Sequence, residues 1–116
     1  MLREMMKAKI HGAVVTQCDV AYMGSLSIDR NLMDEADILP NEKVQVVNLN
    51  NAERFETYAI PAPRGSKIIG LNGGAALLGK VGHRLLVITY AWMDEAAARS
   101  HTPRVILIPS PPGDAS

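Results

Sequence analysis

Two short pairs in this sequence have the residue types for an uncommon backbone reaction. In Tyr22-Met23-Gly24-Ser25 a serine hydroxyl follows a glycine carbonyl, and it can attack that carbonyl if the backbone is held in strain. Glycine hinders the approach least. Gly65-Ser66 is a second pair of the same kind, and a turn is the ordinary role of both.

Other polar residues are spaced to share a pocket. In Arg54-Phe55-Glu56-Thr57-Tyr58 a strand period of two sets Arg54, Glu56 and Tyr58 on one face and Phe55 and Thr57 on the other. A ligand pocket fits that spacing, and so does a cross-strand ion pair beside a half-buried tyrosine. From Met5 to His11, alternation puts Lys7, Lys9 and His11 on one face and Met6, Ala8 and Ile10 on the other. That basic face suits a ligand clamp or a solvated edge whose lysines discourage aggregation. Gly70-Leu71-Asn72-Gly73-Gly74-Ala75-Ala76 reads as a turn whose amides can approach an oxyanion or a carboxylate, or as a plain loop. It lacks the Gly-Lys-Ser/Thr ending of a nucleotide-binding P-loop.

The elements that must position these residues are mostly strands. Apolar runs are short and rich in Val and Ile, which predicts six or seven strands drawn from Glu4–Thr16, Val20–Tyr22, Leu26–Asp29, Lys43–Leu49, Phe55–Ile60, Lys67–Ile69, Arg84–Ala91 and Val105–Ile108. Short helices are expected over Asn31–Ala36, capped by Asp29, and over Asp94–Arg99, with Pro40 and Pro103 closing both regions. Asn50-Asn51 signals a hairpin turn, because asparagine tolerates left-handed backbone angles. Pattern alone does not separate a barrel from a sandwich.

At 116 residues the chain has the size of one domain. Hydrophobic residues make up 47% and charged residues 21%, ordinary globular values, while an aromatic share of 4% implies an aliphatic core. Twelve basic residues balance twelve acidic ones without blocks of like charge, which argues against nucleic acid and anionic membranes as partners. Cys18 is alone and no Cys/His spacing suits a structural zinc site, so the chemistry is read as metal-free and the compartment as a reducing cytoplasm. The three basic residues of Met1–Lys9 precede no long apolar run, so neither a secretory signal nor a spanning helix is expected. The proline-rich segment 109–116 is expected to be a disordered tail.

Taken together, these residues resemble the pyruvoyl-dependent aspartate 1-decarboxylase family from near Met1 to about Ile108. The stretches that carry the resemblance are Lys9-Ile10-His11, Val15-Thr16-Gln17, Tyr22-Met23-Gly24-Ser25, Ile28-Asp29, Arg54-Phe55-Glu56-Thr57-Tyr58-Ala59, Arg64-Gly65-Ser66 and Leu71-Asn72-Gly73-Gly74-Ala75-Ala76, in the family's order and spacing. Position 74 is Gly where the family often has Ala, and Val47 stands where some relatives carry a large aromatic residue.

The resemblance implies a mainly β fold, a double-psi β-barrel with short helices, in one domain over 1–108. It implies a homotetramer with active sites near subunit boundaries, and self-cleavage between Gly24 and Ser25 with Thr57 as the oxyanion partner. Ser25 would become a covalent pyruvoyl cofactor that holds L-aspartate as a Schiff base, with Tyr58 as proton donor. Lys9, Arg54, Thr57, Asn72, Gly73, Gly74 and Ala75 would bind substrate, and His11 and Tyr22 would support the pocket. The implied product is β-alanine with CO2, feeding pantothenate and coenzyme A synthesis in the cytoplasm, with a helper protein as a conceivable partner in maturation. Two rivals remain at this level: a non-catalytic barrel module, and a decarboxylase of another amino acid that makes the same cofactor.

Overall fold

A computed structural model describes residues 1–110. The element order is β1 (Leu2–Val14), β2 (Gln17–Asp19), β3 (Ser25–Asp29), α1 (Arg30–Ala36), β4 (Lys43–Asn48), β5 (Arg54–Ala62), β6 (Ile69–Asn72), a 3-10 helix (Gly73–Leu78), β7 (Arg84–Asp94), α2 (Glu95–Ser100) and β8 (Arg104–Leu107). The strands form one sheet in the order β2-β6-β3-β5-β4-β7-β1-β8. Parallel pairs β1–β8, β2–β6 and β3–β5 are interleaved with antiparallel ones, so the chain crosses over repeatedly. β1 and β2 lie near opposite ends of that order, yet only residues 15 and 16 separate them in the chain. Thr16 N donates to Ile69 O at 2.8 Å and Ile69 N donates to Thr16 Oγ1 at 3.0 Å, which folds the sheet round on itself. The architecture is the mainly β barrel of the double-psi class, with short helices.

Aliphatic side chains fill it, as the composition requires. Ile10, Leu26, Ile28, Val44, Val46, Leu71, Leu85 and Val87 are fully buried, each contributing about 1.5–3 kcal/mol relative to exposure. In β4 the buried Val44 and Val46 alternate with less buried residues, which fixes the register there, since a slip by one position would invert both faces, whereas β3 and β6 are buried throughout.

Several expectations are corrected by local chemistry. There are eight strands rather than six or seven. Val20–Tyr22 is a turn and the strand lies before it, because Asp19 accepts from Ala21 N and Tyr22 N and so reverses the chain. The strand expected over Lys67–Ile69 starts only at Ile69, since Lys67 has a left-handed φ of 61°. Gly70–Asn72 belongs to β6 and not to a turn, and the following glycines open the 3-10 helix. Lys7 keeps the expected alternation with Lys9 and His11 against buried Ala8 and Ile10, although it sits at a bulge between the Met6–Tyr90 and Ala8–Thr89 pairs, and its side chain is not left to solvent. Its ammonium bonds Asp37 O and Glu42 Oε2 instead. The β4–β5 hairpin forms as expected, but its left-handed residue is Ala52 (φ 64°). Asn48 and Asn51 serve as acceptors for Asn50 N and Glu53 N in that turn. Of the tail segment, residues 111–116 lie outside the described residues.

Asp29 joins β3 to α1, as its expected cap role requires, and also to a more distant loop. One carboxylate oxygen accepts from Asn31 N at 2.9 Å and Gly65 N at 3.0 Å, and the other from Lys67 N at 2.9 Å. Arg64-Gly65-Ser66 is therefore the loop that docks on the end of β3, a structural role. The Lys67 amide foremost, then those of Asn31 and Gly65, hold the Asp29 carboxyl below its ordinary pKa, against the opposing effect of burial. A folded-state pKa below the unfolded value of 3.8 stabilises the fold above that pH, and the stabilisation disappears as pH falls through the folded value. Asp29→Asn should lower Tm at pH 7 and flatten the loss of Tm between pH 5 and the acid limit. Asp34 and Glu95, whose pKa values are also depressed by Arg64 and Arg3 respectively, remain in both proteins, so the difference isolates Asp29. Parallel Tm-against-pH curves for the two proteins would contradict this role.

Candidate active site

Ser25 opens β3 with φ 134°, a backbone conformation that side-chain-bearing residues rarely adopt and that costs about 1–3 kcal/mol. Neighbouring strands hold it from both sides. Ser25 pairs directly with Asn72 in the antiparallel β3–β6 ladder. β3 also runs parallel to β5 from the Leu26–Ala59 pair onward. Continued backward, that register sets Ser25 beside Tyr58 and Gly24 beside Thr57.

Side chains fix both halves of the Gly24–Ser25 peptide bond. Tyr58 Oη donates to the Gly24 carbonyl oxygen at 2.9 Å. Asn72 Nδ2 donates to Ser25 Oγ at 2.9 Å and to Ser27 Oγ at 2.9 Å. Ser25 and Asn72 are 1% and 2% exposed, while Tyr58 is 39% exposed. A carbonyl polarised by a phenol thus precedes a hydroxyl held by an amide, in a backbone already distorted at the hydroxyl-bearing residue. These are the ingredients for attack of Ser25 Oγ on the Gly24 carbonyl carbon. The same observations meet the needs of a carbonyl cofactor made from Ser25: its position is buried, and a phenol and an amide reach it.

The glycine-rich segment presses on this peptide. Gly73 has φ 60°, and a Cβ there would lie 2.8 Å from Gly24 N and Cα and 3.0 Å from Tyr22 O. Gly74 has open space around it, so an alanine is sterically acceptable at that position. Ala75 follows, half-buried in the 3-10 helix. Thr57 is half-buried on the face of β5 that points inward with Val44, and its hydroxyl has no hydrogen-bond partner among the described residues.

Other expected site residues stand apart within one chain. Arg54 is exposed on the outward face with Tyr58, and four residues of strand separate them by about 13 Å. Val47 pairs with Arg54 across β4–β5, so it shapes the surface on which Arg54 lies. Lys9 is half-buried and aligns across the sheet with Ile88, Gln45 and Glu56, three strand spacings or about 14 Å from β5. His11 lines a separate cavity of about 230 Å³ with Arg84 and Ser110. The Tyr22 ring is exposed, and only its carbonyl approaches Gly73. A cavity of about 560 Å³ lies beside α1 among Val14, Thr16, Leu32, Lys67 and Ile69 and includes neither Ser25 nor Tyr58. The Gly24–Ser25 peptide lies outside that cavity, with Ser25 buried and Gly24 exposed.

Ser27 is the site residue that sequence reasoning passed over. Its signal was the strand period: two residues beyond Ser25, it shares the face that Asn72 covers.

Comparison with known proteins shows the family to which the chain belongs. The aspartate decarboxylase family model matches residues 1–111. An aspartate 1-decarboxylase of Maricaulis maris is 56% identical over 104 residues, covering 90% of this chain and 86% of that protein. Those of Thermoanaerobacter pseudethanolicus and Caulobacter vibrioides are 55% and 53% identical, each over 93% of this chain and 92% of the relative.

The two adjacent glycines give a stringent check on the geometry. Gly73→Ala should lower the unfolding free energy by about 1–3 kcal/mol through its left-handed φ and the clash with Gly24. Gly74→Ala should change it by less than about 0.5 kcal/mol. Equal effects in denaturant titrations would contradict the described contacts.

Proposed function

Because the chain belongs to the aspartate decarboxylase family, we propose that it cleaves itself at Gly24–Ser25 and converts L-aspartate to β-alanine and CO2. The observation that carries this reading is the strained, buried Ser25, with its hydroxyl held by Asn72 and the preceding carbonyl held by Tyr58.

Processing begins when Ser25 Oγ bonds to the Gly24 carbonyl carbon and the bond from that carbon to Ser25 N breaks, with the hydroxyl proton passing to the freed nitrogen. The amide becomes an ester. Thr57, beside Gly24 with its hydroxyl uncommitted, is the donor for the oxyanion formed during attack. Loss of the Ser25 α-proton then expels the Gly24 carboxylate, and water replaces the remaining nitrogen as ammonia to leave a ketone. Once formed, that pyruvoyl group supplies an electron sink for the pair released when the α-carboxylate leaves as CO2.

The remaining roles belong to side chains of the chain. Tyr58, released from the Gly24 carbonyl by cleavage, protonates the substrate α-carbon through its phenol hydroxyl. Asn72 and the amides from Gly73 to Ala75 orient the bound substrate. Arg54 holds the retained carboxylate through two charge-assisted hydrogen bonds, and Lys9 adds a second positive charge. Since Arg54 and Lys9 lie over 10 Å along the sheet from Tyr58 (roughly, from strand geometry), a second copy of the chain completes the pocket in a homotetramer. His11 and Tyr22 support the pocket walls. The proposed setting is the cytoplasm, in supply of β-alanine for pantothenate and coenzyme A.

Two variants separate the stages. Thr57→Val should accumulate uncleaved chain, whereas Tyr58→Phe should still cleave but release CO2 from aspartate at least about a hundredfold more slowly. Accumulation of precursor by both variants would make the Tyr58–Gly24 hydrogen bond a processing contact and refute this division. Arg54→Lys keeps the charge but loses the two-pronged geometry. Fully processed Arg54→Lys should lose about thirty- to a hundredfold in kcat/KM for aspartate, and parent-like kinetics would remove Arg54 from the substrate site.

A further inference from the structure

Asn72 carries two amide hydrogens, and its Nδ2 bonds two serines on one face of the sheet. One bond reaches Ser25 Oγ and the other Ser27 Oγ, each 2.9 Å long. Ser27 is 9% exposed and Asn72 2% exposed, so the second bond is shielded from competition by water. Strand register creates the triangle. Ser25 stands opposite Asn72 and Ser27 opposite Gly70 in the same ladder, and Gly70 has no side chain to intrude between Ser27 and the amide.

The terminal torsion of asparagine is broad, so a single hydrogen bond fixes the amide poorly. Without Ser27 Oγ, one buried N–H of Asn72 would also lack a partner, and the amide would turn to recover one. Either movement takes the other N–H off Ser25 Oγ. We propose that Ser27 is a positioning residue for self-cleavage: by occupying the second N–H of Asn72, it aims the first at the attacking hydroxyl.

The inference rests on the self-cleavage reading given above and assigns a source to its precision. As Ser25 Oγ bonds to the Gly24 carbon, its proton leaves for the departing Ser25 nitrogen. Negative charge developing on Oγ during that transfer is stabilised by an N–H aimed at it. No added reactant is required, because the acyl group moves from nitrogen to oxygen within the chain.

The test compares Ser27→Thr with Ser27→Val, which share a shape and differ in the hydroxyl. Freshly translated chains are sampled over time for the intact and cleaved masses, and Tm is recorded for each protein. Ser27→Val should cleave at least about tenfold more slowly than the parent, with Ser27→Thr within about threefold of the parent rate. In an Asn72→Ala background the Thr and Val forms should cleave at equal rates, since the effect travels through Asn72. Parent-like cleavage by Ser27→Val, or an undiminished Thr–Val difference without Asn72, would overturn the assignment. A parent chain that never cleaves would instead remove the self-cleavage reading itself, and this role with it.

Discussion

A serine at φ 134° is not a conformation that a free strand end would keep, so everything around Ser25 has to hold it there. β6 does so through the backbone pair with Asn72, and β5 through the parallel register that runs on to Tyr58. Gly73 closes the third side, at a distance that only a residue without a side chain permits. The strain therefore resides in a bond whose surroundings are over-determined by three segments far apart in sequence. At the other end of β3, Asp29 fastens the strand to α1 and to the 64–67 loop through three backbone amides. A short strand of five residues is thereby clamped at both ends, which allows the cost at Ser25 to be borne by the fold.

How much of this was legible in the sequence depended on whether the signal was local. The Asp29 cap, α2 behind Asp94 and the β4–β5 hairpin all follow from neighbouring residues, and all appear within a residue or two of expectation. Alternation over Arg54–Tyr58 was also readable, because β5 is regular there. Alternation from Lys7 to His11 was readable too, but not the bulge between Met6 and Ala8, which no composition rule announces. The strand expectation failed at Lys67, which has a left-handed φ and donates its amide to the distant Asp29 carboxylate. For the site, Gly24-Ser25, Tyr58 and Asn72 were nameable from motif resemblance, whereas Ser27 became visible only when register showed which serines face Asn72.

The arrangement of charges separates two kinds of site residue. Ser25, Asn72, Gly73 and Tyr58 converge within one chain around the Gly24–Ser25 peptide. Arg54 and Lys9, the groups suited to anchoring a dicarboxylate, lie farther along the outward face of the same sheet, with Val47 beside Arg54. Under the proposed function, cofactor formation is a property of the single fold while substrate recognition is a property of the assembly. Divergence at positions such as 47 would then alter the pocket without disturbing cleavage.

The central claim is that the Gly24–Ser25 bond is broken and Ser25 is converted to a carbonyl group. Intact mass spectrometry of the purified protein, under denaturing conditions, tests it most directly. The account predicts two species, residues 1–24 with an ordinary carboxyl end and residues 25–116 with a mass that shows a ketone in place of the amine of Ser25. A single unbroken chain in a preparation that decarboxylates aspartate would contradict it.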